Sequence, residues 1–390
     1  MSGIYIHIPF CKQACHYCDF HFSTSMKKKE EMVLALAKEI QMRKNEFKLL
    51  DCAQPKEKIE TIYFGGGTPS VLQISELKFL IDTVYENYEV SKNVEITLEA
   101  NPDDLTDSSY GVQSRSIFED YRSIGINRLS IGIQSFFEDD LKLMNRAHNA
   151  AEAKKCLEEA TKYFDNISID LIYGVPNMSN EKWKQNIETA LSFGIPHLSS
   201  YALTVEPKTA LKKLIQTGKI AAPQDEVAAE HFLILVEMLV SKGFIHYELS
   251  NFGKENYFSR NNSAYWLGNK YIGIGPSAHS YDGISRSWNI SNNSIYLKSI
   301  QEDKLPSELE ILSITDRYNE YIMTGLRTIW GVSLDRIENE FGLKYLIYLK
   351  KQSFKFLNDN LLVIENGILK PTKKGKFLTD GIASDLFILN

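Results

Sequence analysis

Short apolar runs rich in β-branched residues recur along the first half of the chain, and longer segments with hydrophobic positions three or four residues apart separate them. The runs predict β-strands at Ile4–Ile8, Thr61–Phe64, Val94–Glu99, Arg128–Ile133, Ile167–Ile172 and Leu198–Leu203. The segments between them predict helices at Lys27–Leu49, Ser75–Tyr88, Ala150–Tyr163 and Asn180–Phe193. Because strands and helices alternate, we expect an α/β fold with a parallel sheet and right-handed crossovers. Six such units make a partial, TIM-like (β/α)6 barrel.

The pattern changes beyond residue 310, where helices dominate. Helical periodicity predicts helices at Leu312–Ile329, Ser333–Phe341 and Tyr345–Leu357. Leu361–Lys370 holds two apolar runs around an Asn-Gly pair, which predicts a hairpin, and a last helix follows Lys373. Helices combined with one hairpin indicate a winged-helix-like unit. We therefore predict a barrel with an aromatic-rich C-terminal extension over residues 1–300, a linker at Gln301–Glu310 and a winged-helix-like domain over residues 311–390.

Composition and charge exclude several classes of protein. The 390 residues are 43% hydrophobic and 24% charged, which is typical of a globular chain with a large core. The net charge of −6 gives no reason to expect nucleic acid as a partner. The first strand begins by residue 4, so we expect no signal peptide. Five cysteines, three of them in one loop, suit a reducing compartment, and Cys52 and Cys156 are expected to be structural thiols. We expect a cytoplasmic protein, with the periphery of the inner membrane as an alternative location.

A lysine-rich stretch near the C-terminus bears on that alternative. Eight lysines lie between Lys344 and Lys376, against only Asp359 and Glu365. Such a patch suits contact with a membrane surface or with an acidic partner. A solvated protein surface is the simpler explanation.

Three cysteines within eight residues, Cys11, Cys15 and Cys18, are the strongest chemical signal in the chain. Three thiolates on one loop can hold three irons of a [4Fe–4S] cluster and leave the fourth iron without a protein ligand. This C-x3-C-x2-C spacing resembles that of the radical S-adenosylmethionine (SAM) enzymes, in which SAM chelates the open iron. The alternative is a zinc site with His16 or His21 as the fourth ligand.

Polar residues and glycines follow the predicted strands at the points where the strands end. Since the C-terminal ends of parallel strands share one rim of a barrel, we expect these residues to face a common site. Gly65, Gly66 and Gly67 follow the second strand, and glycines let backbone N–H groups approach a ligand closely. We expect a side chain at Gly66 to fill the space of the methionine end of SAM. The later strands end in Glu99, Gln134, Asp170 and Ala202.

Longer motifs extend the likeness over nearly the whole chain. They are Tyr5–Cys11, Tyr63–Ser70, Glu99–Pro102, Arg128–Phe136, Asn145–His148, Asp170–Pro176 and Ile272–His279. In these motifs the chain resembles the oxygen-independent coproporphyrinogen III oxidase family and, within it, the HemW-type heme chaperones. The resemblance implies that Cys11, Cys15 and Cys18 ligate a [4Fe–4S] cluster. It also implies a SAM site lined by Tyr5, Tyr17, Gly66, Gly67, Thr68, Glu99, Gln134, Arg146, Asp170 and Ala202.

Two departures separate the chain from the oxidases of this family. Only ten residues precede Cys11, whereas the oxidases carry a longer N-terminal extension, and Phe20 stands where they have a fourth cysteine. These differences favour a heme chaperone that passes heme to a recipient hemoprotein. The alternative function is radical decarboxylation of coproporphyrinogen III, so whether the chain is an enzyme stays open.

A third departure concerns heme itself. The chaperones carry a His-Asn-x-x-Tyr-Trp motif associated with heme, but Asn261 stands here where histidine is expected. Because imidazole is a common heme ligand, the candidates to replace it are His246 and, after it, His279. The alternatives are that these histidines belong to the core or to the SAM site and that heme is held mainly by apolar contact. Arg260 and Arg286 suit the heme propionates. The aromatic residues that suit a flat apolar ligand are Tyr247, Phe252, Tyr257, Phe258, Tyr265, Trp266, Tyr271, Tyr281, Trp288 and Tyr296. Alternatively, these aromatic side chains only close the open side of the barrel.

Overall fold

The computed structural model describes residues 2–46, 58–106 and 116–389. Within these ranges a twelve-stranded sheet forms the barrel and its extensions. Its strands are β1 (Ser2–Ile8), β2 (Ile59–Gly66), β3 (Val90–Ala100), β4 (Arg128–Gln134), β5 (Ile167–Tyr173), β6 (His197–Ala202), β7 (Ile245–Glu248), β8 (Asn251–Gly253), β9 (Lys270–Ile274), β10 (His279–Tyr281), β11 (Ser285–Asn289) and β12 (Ser307–Ile311). Strands β1 to β6 are parallel neighbours in chain order, which confirms the predicted parallel sheet.

Helices alternate with the parallel strands, as the sequence predicted. Those of the barrel and its extension are α1 (Lys29–Met42), α2 (Ile74–Asn87), α3 (Pro102–Thr106), α4 (Ile117–Ser123), α5 (Glu138–Leu143), α6 (Ala150–Tyr163), α7 (Asn180–Ser192), α8 (Ala210–Gln216), α9 (Asp225–Ser241), α10 (Arg260–Trp266) and α11 (Asn293–Gln301). Alternate strand residues face opposite sides of the sheet. In β1, Ile4 and Ile6 belong to the main apolar core, whereas Tyr5 stacks against Tyr63 on the inner side of the barrel.

The first helix is shorter than the sequence predicted. It ends at Met42, and the next residue, Arg43, turns its buried guanidinium to donate to the Gly273 carbonyl at 2.6 Å and to the Ser280 hydroxyl at 3.1 Å. This tertiary anchor competes with continuation of the helix. Residues 47–49 of the predicted helix lie outside the described residues.

The sheet extends beyond the six predicted strands on both sides. Strand β9 pairs parallel with β1, and β10, β11 and β12 follow it as antiparallel neighbours. On the other side β8 pairs antiparallel with β6, and β7 follows it. The linker prediction for Gln301–Glu310 is therefore wrong in part, since most of β12 lies in that segment and forms an edge of the sheet.

The C-terminal unit has its own apolar core, centred on residues such as Tyr318, Leu349 and Leu369. Its elements are α12 (Ile314–Leu326), β13 (Val332–Ser333), α13 (Leu334–Arg336) followed by a π-helical turn at Ile337–Phe341, α14 (Leu343–Asn358), β14 (Leu362–Glu365), β15 (Ile368–Pro371) and α15 (Thr379–Asp385). Asn366 and Gly367 have φ angles of 50° and 75°, so the predicted hairpin turn is confirmed. The elements agree with a winged-helix-like unit, and the exact domain boundaries stay a prediction.

Two further expectations concern cysteines and membranes. Cys156 is fully buried in the main core, as expected of a structural thiol, and Cys52 lies outside the described residues. In the parts of the chain that the structure describes, no helix combines the length and the apolar character needed to cross a membrane.

Candidate functional site

The loop that carries the three cysteines follows β1 and is tied down at three points. The Cys11 amide donates to the Ser23 carbonyl at 3.1 Å, and the His16 amide donates to the Met144 carbonyl at 3.0 Å. The Leu211 amide in turn donates to the His16 carbonyl at 2.7 Å. These bonds hold the loop over the C-terminal ends of the parallel strands, where the polar strand ends meet.

A cavity of about 420 Å³, here called the rim cavity, lies between this loop and the strand ends. It is lined by Cys11, Cys15, Cys18, Tyr17, Gly66, Gly67, Thr68, Glu99, Asn101, Gly132, Gln134, Arg146, Asp170, Tyr201 and Ala202, among others. The structure thus brings together the three cysteines and nine of the ten residues predicted for the SAM site. The exception is Tyr5, which does not line the cavity and whose hydroxyl lies 3.3 Å from His7 Nδ1.

The three thiols differ in their surroundings. Cys11 is buried, and the Thr68 hydroxyl donates to its Sγ at 3.4 Å. Burial raises the pKa of Cys11 to about 11, although the Thr68 hydrogen bond acts in the opposite direction. Cys15 and Cys18 are half-buried, and burial also raises the pKa of Cys18. The thiolates of Cys11 and Cys18, which metal binding requires, are therefore disfavoured by burial and need a cation to stabilise them.

Arg146 brings a positive charge to this wall of the cavity. Its Nη1 lies 3.2 Å from Cys15 Sγ and 3.4 Å from the Tyr17 hydroxyl, and its Nη2 donates to Asn101 Oδ1 at 2.7 Å and to the Gly132 carbonyl at 2.9 Å. Burial would lower the pKa of Arg146, but Tyr17 and Cys15 raise it above its usual value. Its Nε is buried and has no partner among the described residues, so a donor remains for an acidic ligand.

The glycine loop after β2 has a different role from the one predicted. The amides of Gly67 and Thr68 donate to the carbonyls of Ile8 and Phe10 at 2.9 and 2.7 Å, so they hold the cysteine loop rather than a ligand. Gly66 has a φ of 110°, and a Cβ there would lie 2.6 Å from the His7 ring. The prediction that a side chain at Gly66 would fill the ligand space is therefore wrong, since it would collide with the protein.

Two carboxylates lie on the barrel side of the cavity. Glu99 Oε1 accepts from the Tyr63 hydroxyl at 2.8 Å, and Oε2 accepts from the Gly66 amide at 3.3 Å. Burial raises the pKa of Glu99 to about 7, and the nearby Asp170 adds to this, while the Tyr63 hydrogen bond lowers it. Burial raises the pKa of Asp170 to about 6, although a Ser199 hydrogen bond and Arg128 lower it. A cationic ligand would stabilise the ionised form of both.

Gln134 was predicted for the SAM site and Asn101 was not, yet both line the rim cavity. Gln134 is a buried non-glycine residue with a φ of 67°, an unusual backbone state that often marks a functional site. Asn101 holds Arg146, and its Nδ2 donates to Thr68 Oγ1 at 3.3 Å, yet the prediction omitted it. Its position, two residues after Glu99 at the same strand end, could have identified Asn101 as a site residue.

The zinc alternative finds little support in the structure. His16 Nδ1 lies 2.8 Å from the Leu143 carbonyl, and His21 Nε2 lies 2.7 Å from Asn293 Oδ1. One nitrogen of each ring is thus engaged with a group other than a thiol. Across the described ranges, no three His, Cys, Asp or Glu side chains lie close enough together to hold a single metal ion.

A second cavity, of about 250 Å³ and here called the aromatic cleft, lies between the barrel extension and the C-terminal unit. Its walls include Tyr265, Trp266, Tyr271, Tyr281, Arg286, Arg317, Glu320, Tyr321, Arg336, Glu340 and Phe341. It therefore gathers four of the ten predicted aromatic residues together with Arg286. Tyr247, Phe252 and Tyr296 are instead fully buried in the fold, as the alternative explanation expected of them.

Two residues predicted to contact heme, His246 and Arg260, and Asn261 at the position of the missing histidine are engaged elsewhere in the fold. His246 is buried and stacked on Phe252, with Nε2 3.1 Å from the Leu249 carbonyl and Nδ1 3.1 Å from Lys376 Nζ. Both of its ring nitrogens are occupied, so it is a structural side chain rather than an axial ligand. Asn261 is buried in the barrel and accepts from the Thr61 hydroxyl at 3.1 Å.

Arg260 is the third of these residues. Its guanidinium pairs with Glu60 at 2.9 Å and donates to the Asn93 carbonyl, and it does not line the aromatic cleft. His279, by contrast, is exposed on β10. Of the two predicted histidines, only His279 presents its ring to solvent.

Comparison with known proteins assigns the chain to a family. Residues 5–190 match the Radical SAM superfamily, and residues 312–378 match the HemN C-terminal domain. The heme chaperone HemW of Bacillus subtilis is 34% identical over 346 residues, which cover 88% of this chain and 87% of that protein. The heme chaperone HemW of Lactococcus lactis is 32% identical over 392 residues, which cover 98% of each. The chain belongs to the HemW family.

A solved structure supports the fold of this HemW family member. The coproporphyrinogen III oxidase HemN from Escherichia coli matches with a TM-score of 0.82 over 99% of this chain and 90% of that chain, at 21% sequence identity. The radical SAM fold implies a [4Fe–4S] cluster and SAM. The rim cavity fits them, because it combines three thiols, an unpartnered arginine donor at Arg146 and the two carboxylates of Glu99 and Asp170.

Proposed function

We propose that this chain is a heme chaperone, which binds heme and delivers it to hemoproteins, and that it keeps a radical SAM-type cluster site in the rim cavity. The observation that carries the proposal is the alignment of the two HemW relatives, named heme chaperones, over most or nearly all of the chain. The sequence feature that agrees with it is Phe20, which stands at the position of the oxidases' fourth cysteine and is 69% exposed at the cavity wall.

In the rim cavity we assign cluster ligation to Cys11, Cys15 and Cys18. With one iron free of protein ligands, the cluster supplies an open coordination position for SAM. Arg146 pairs with the SAM carboxylate, because it lines the cavity and carries a positive charge. Glu99 accepts from the SAM amino group, since it is an acidic residue that lines the same cavity.

The remaining residues shape the space for the rest of SAM. Asp170 accepts from a ribose hydroxyl, and the small side chain of Ala202, which also lines the cavity, leaves room for the nucleoside. Tyr17, Gly67, Thr68 and Gln134 form walls of the same cavity. Tyr5 acts indirectly, because it lies behind Gly65 and supports Tyr63, which donates to Glu99.

A single set of assays tests this function against the oxidase reaction. Anaerobically reconstituted protein is titrated with hemin, and the heme complex is then mixed with apomyoglobin as a generic acceptor. The same protein is incubated anaerobically with coproporphyrinogen III, SAM and a reductant. We expect heme binding and transfer without decarboxylation. Decarboxylation in the absence of heme binding would replace the chaperone proposal with the oxidase.

We further propose that the protein works in the cytoplasm and that one face of α14 contacts an anionic membrane surface. Leu343, Ile347 and Phe354 on this helix are 57%, 58% and 64% exposed, and Lys350 and Lys351 lie among them. Exposed apolar residues flanked by lysines suit an interface of this kind. The protein should sediment with vesicles that contain anionic lipid and not with purely zwitterionic vesicles, and K350E/K351E should abolish the difference.

A further inference from the structure

The walls of the aromatic cleft form a series of ring contacts. The Tyr265 and Tyr271 rings meet edge to face with centroids 4.4 Å apart, and the Tyr271 and Tyr281 centroids are 6.4 Å apart. Trp266 on α10 and Tyr321 on α12 also contribute aromatic rings to the cleft wall. Aromatic faces at such spacing suit a flat, largely apolar ligand.

The charges in the cleft are almost, but not fully, balanced. Arg286 lies 3.1 Å from a carboxylate oxygen of Glu320, and Arg336 donates to Glu340 at 2.9 Å. Arg317 is the third arginine, and its buried Nε has no hydrogen-bond partner in the part of the chain that the structure describes. The buried Nε of Arg286 is unpartnered there too, and the three arginines of the cleft outnumber its two glutamates, which suits a ligand that carries a carboxylate.

The β10–β11 hairpin places His279 on the same face as the cleft. Tyr281 pairs with Arg286, both of which line the cleft, and His279 pairs with Trp288 two residues further along. Alternate residues of a strand share one face, so the His279 side chain stands about 7 Å from that of Tyr281 along the strand.

The His279 ring is available as a ligand. The side chain is exposed, its ring centroid lies 6.1 Å from that of Trp288, and no hydrogen bond engages its nitrogens within the described ranges. Partial loss of solvent around the ring and the neighbouring Arg286 lower the pKa of His279, which favours the neutral imidazole that binds iron.

The orientation of a ligand follows from the acidic neighbours. Glu308 pairs with Trp288 and Glu310 pairs with Arg286 across β11 and β12, and both glutamates are exposed. Glu308 would repel the carboxylates of a ligand at the Trp288 end, whereas Glu310 lies at the cleft end, where three arginines line the wall. The carboxylate edge is therefore favoured at the Arg317 end, and the apolar edge near Trp288.

We infer that the aromatic cleft and the adjoining face of the β10–β11 hairpin form the heme site of this chain, with Arg317 bound to a heme carboxylate and His279 bound to the iron. This inference rests on the proposed heme-binding function. It also accounts for the loss of histidine at Asn261, because a ligand on β10 serves instead. The site joins the barrel extension to the C-terminal unit, so heme would contact both.

The test separates the iron ligand from the carboxylate contact by comparing hemin with iron-free protoporphyrin IX. His279→Ala should shift the Soret band and weaken hemin binding, leave protoporphyrin binding unchanged, and recover the original spectrum when imidazole is added. Arg317→Leu should weaken both ligands about tenfold, because each carries the same carboxylates, and Arg317→Lys should recover part of the affinity.

Two variants serve as matched controls. His246→Gln replaces a histidine that the structure engages elsewhere, and Arg260→Leu removes an arginine charge outside the cleft; both should leave the Soret band and the hemin affinity unchanged. Full cluster content after reconstitution shows that each variant is folded.

The outcomes distinguish this site from the function on which it rests. If the wild-type chain binds no hemin, the proposed chaperone function fails and the heme site fails with it. If the wild type binds hemin and transfers it, but His279→Ala and Arg317→Leu behave like the controls, the function stands and the assigned site is overturned.

Discussion

The rim cavity lies at the C-terminal ends of the parallel strands β1 to β6, whereas the aromatic cleft lies near the start of β9, the parallel neighbour of β1, and different kinds of element build the two sites. The rim cavity collects residues at the C-terminal ends of consecutive parallel strands, so chain order alone brings Glu99, Gln134 and Asp170 together. The cleft begins near Tyr271 at the start of β9 and needs Arg317 and other residues of the C-terminal unit. A site at strand ends follows from the topology, whereas a site between units depends on tertiary packing.

The largest expected effect is the loss of the cluster from the rim cavity while the aromatic cleft keeps its ligand. Cys11→Ala, Cys15→Ala or Cys18→Ala should each abolish the cluster, about four irons per chain in the wild type, because three ligands leave none to spare. Hemin binding should persist in these variants, since the aromatic cleft shares no residue with the rim cavity. Iron analysis and hemin titration measure the two sites separately.

Cys156→Ala is the control for this series, because it removes a thiol from the core and should keep the cluster. A cluster retained by Cys15→Ala would contradict the ligand assignment. Loss of hemin binding together with the cluster would show that the two sites are coupled.

The second prediction concerns the backbone that holds the cysteine loop. A Cβ at Gly66 would lie 2.6 Å from the His7 ring, whose Nε2 bonds the His21 carbonyl at 2.9 Å. Gly66→Ala should therefore displace the loop and lower both iron content and SAM affinity. Gly194→Ala is the matched control, since Gly194 also has a positive φ, 69°, but open space around it. Iron retained in full by Gly66→Ala would show that the loop tolerates the collision.

The contrast between the sites explains what the sequence could predict. Parallel strand order is a consequence of alternating periodicity, so the position of Arg146 or Asp170 near the cysteines needed only the motif and the topology. The sequence could not show that Gly66 faces His7, because side-chain direction within a loop depends on local φ and ψ angles. Nor could the sequence show that His246 is buried and His279 exposed. The packing of His246 against Lys376 and the register of the β10–β11 hairpin at His279 decide this difference.

The third prediction tests whether a histidine at position 261, where the heme chaperones carry one, would bind heme in this chain. Asn261 is buried and accepts from the Thr61 hydroxyl, so Asn261→His should leave that hydroxyl without its partner and should not tighten heme binding. We expect the free energy of unfolding to fall by about 1–3 kcal/mol, the cost of an unsatisfied buried group. Chemical denaturation measures it, with Asn262→His, at a half-buried neighbour, as the milder control. Tighter hemin binding in the Asn261 variant would argue against the cleft as the heme site.

The smallest expected effect is a pH dependence that belongs to the rim cavity alone. Burial raises the pKa of Glu99 to about 7, above the value of about 4.3 expected in the unfolded chain. Between these values the folded state holds a proton that the unfolded state has released, so the stability of the cluster-free protein should fall as pH rises through this window. SAM affinity should rise over the same range, because the SAM amino group prefers the ionised carboxylate. Calorimetric SAM titrations between about pH 5.5 and pH 7, below the range in which an α-amino group titrates, should show a severalfold gain in the wild type.

Glu99→Gln should flatten most of this gain and leave a smaller slope from Asp170, whose pKa burial raises to about 6. Adding Asp170→Asn should remove this smaller slope, which would identify Asp170 as its source. Hemin affinity should not follow the same pH profile, since neither carboxylate lines the aromatic cleft. An unchanged slope in Glu99→Gln would remove Glu99 from contact with the amino group. It would leave Arg146 as the residue that selects the amino-acid end of SAM, because its buried Nε faces no other partner among the described residues.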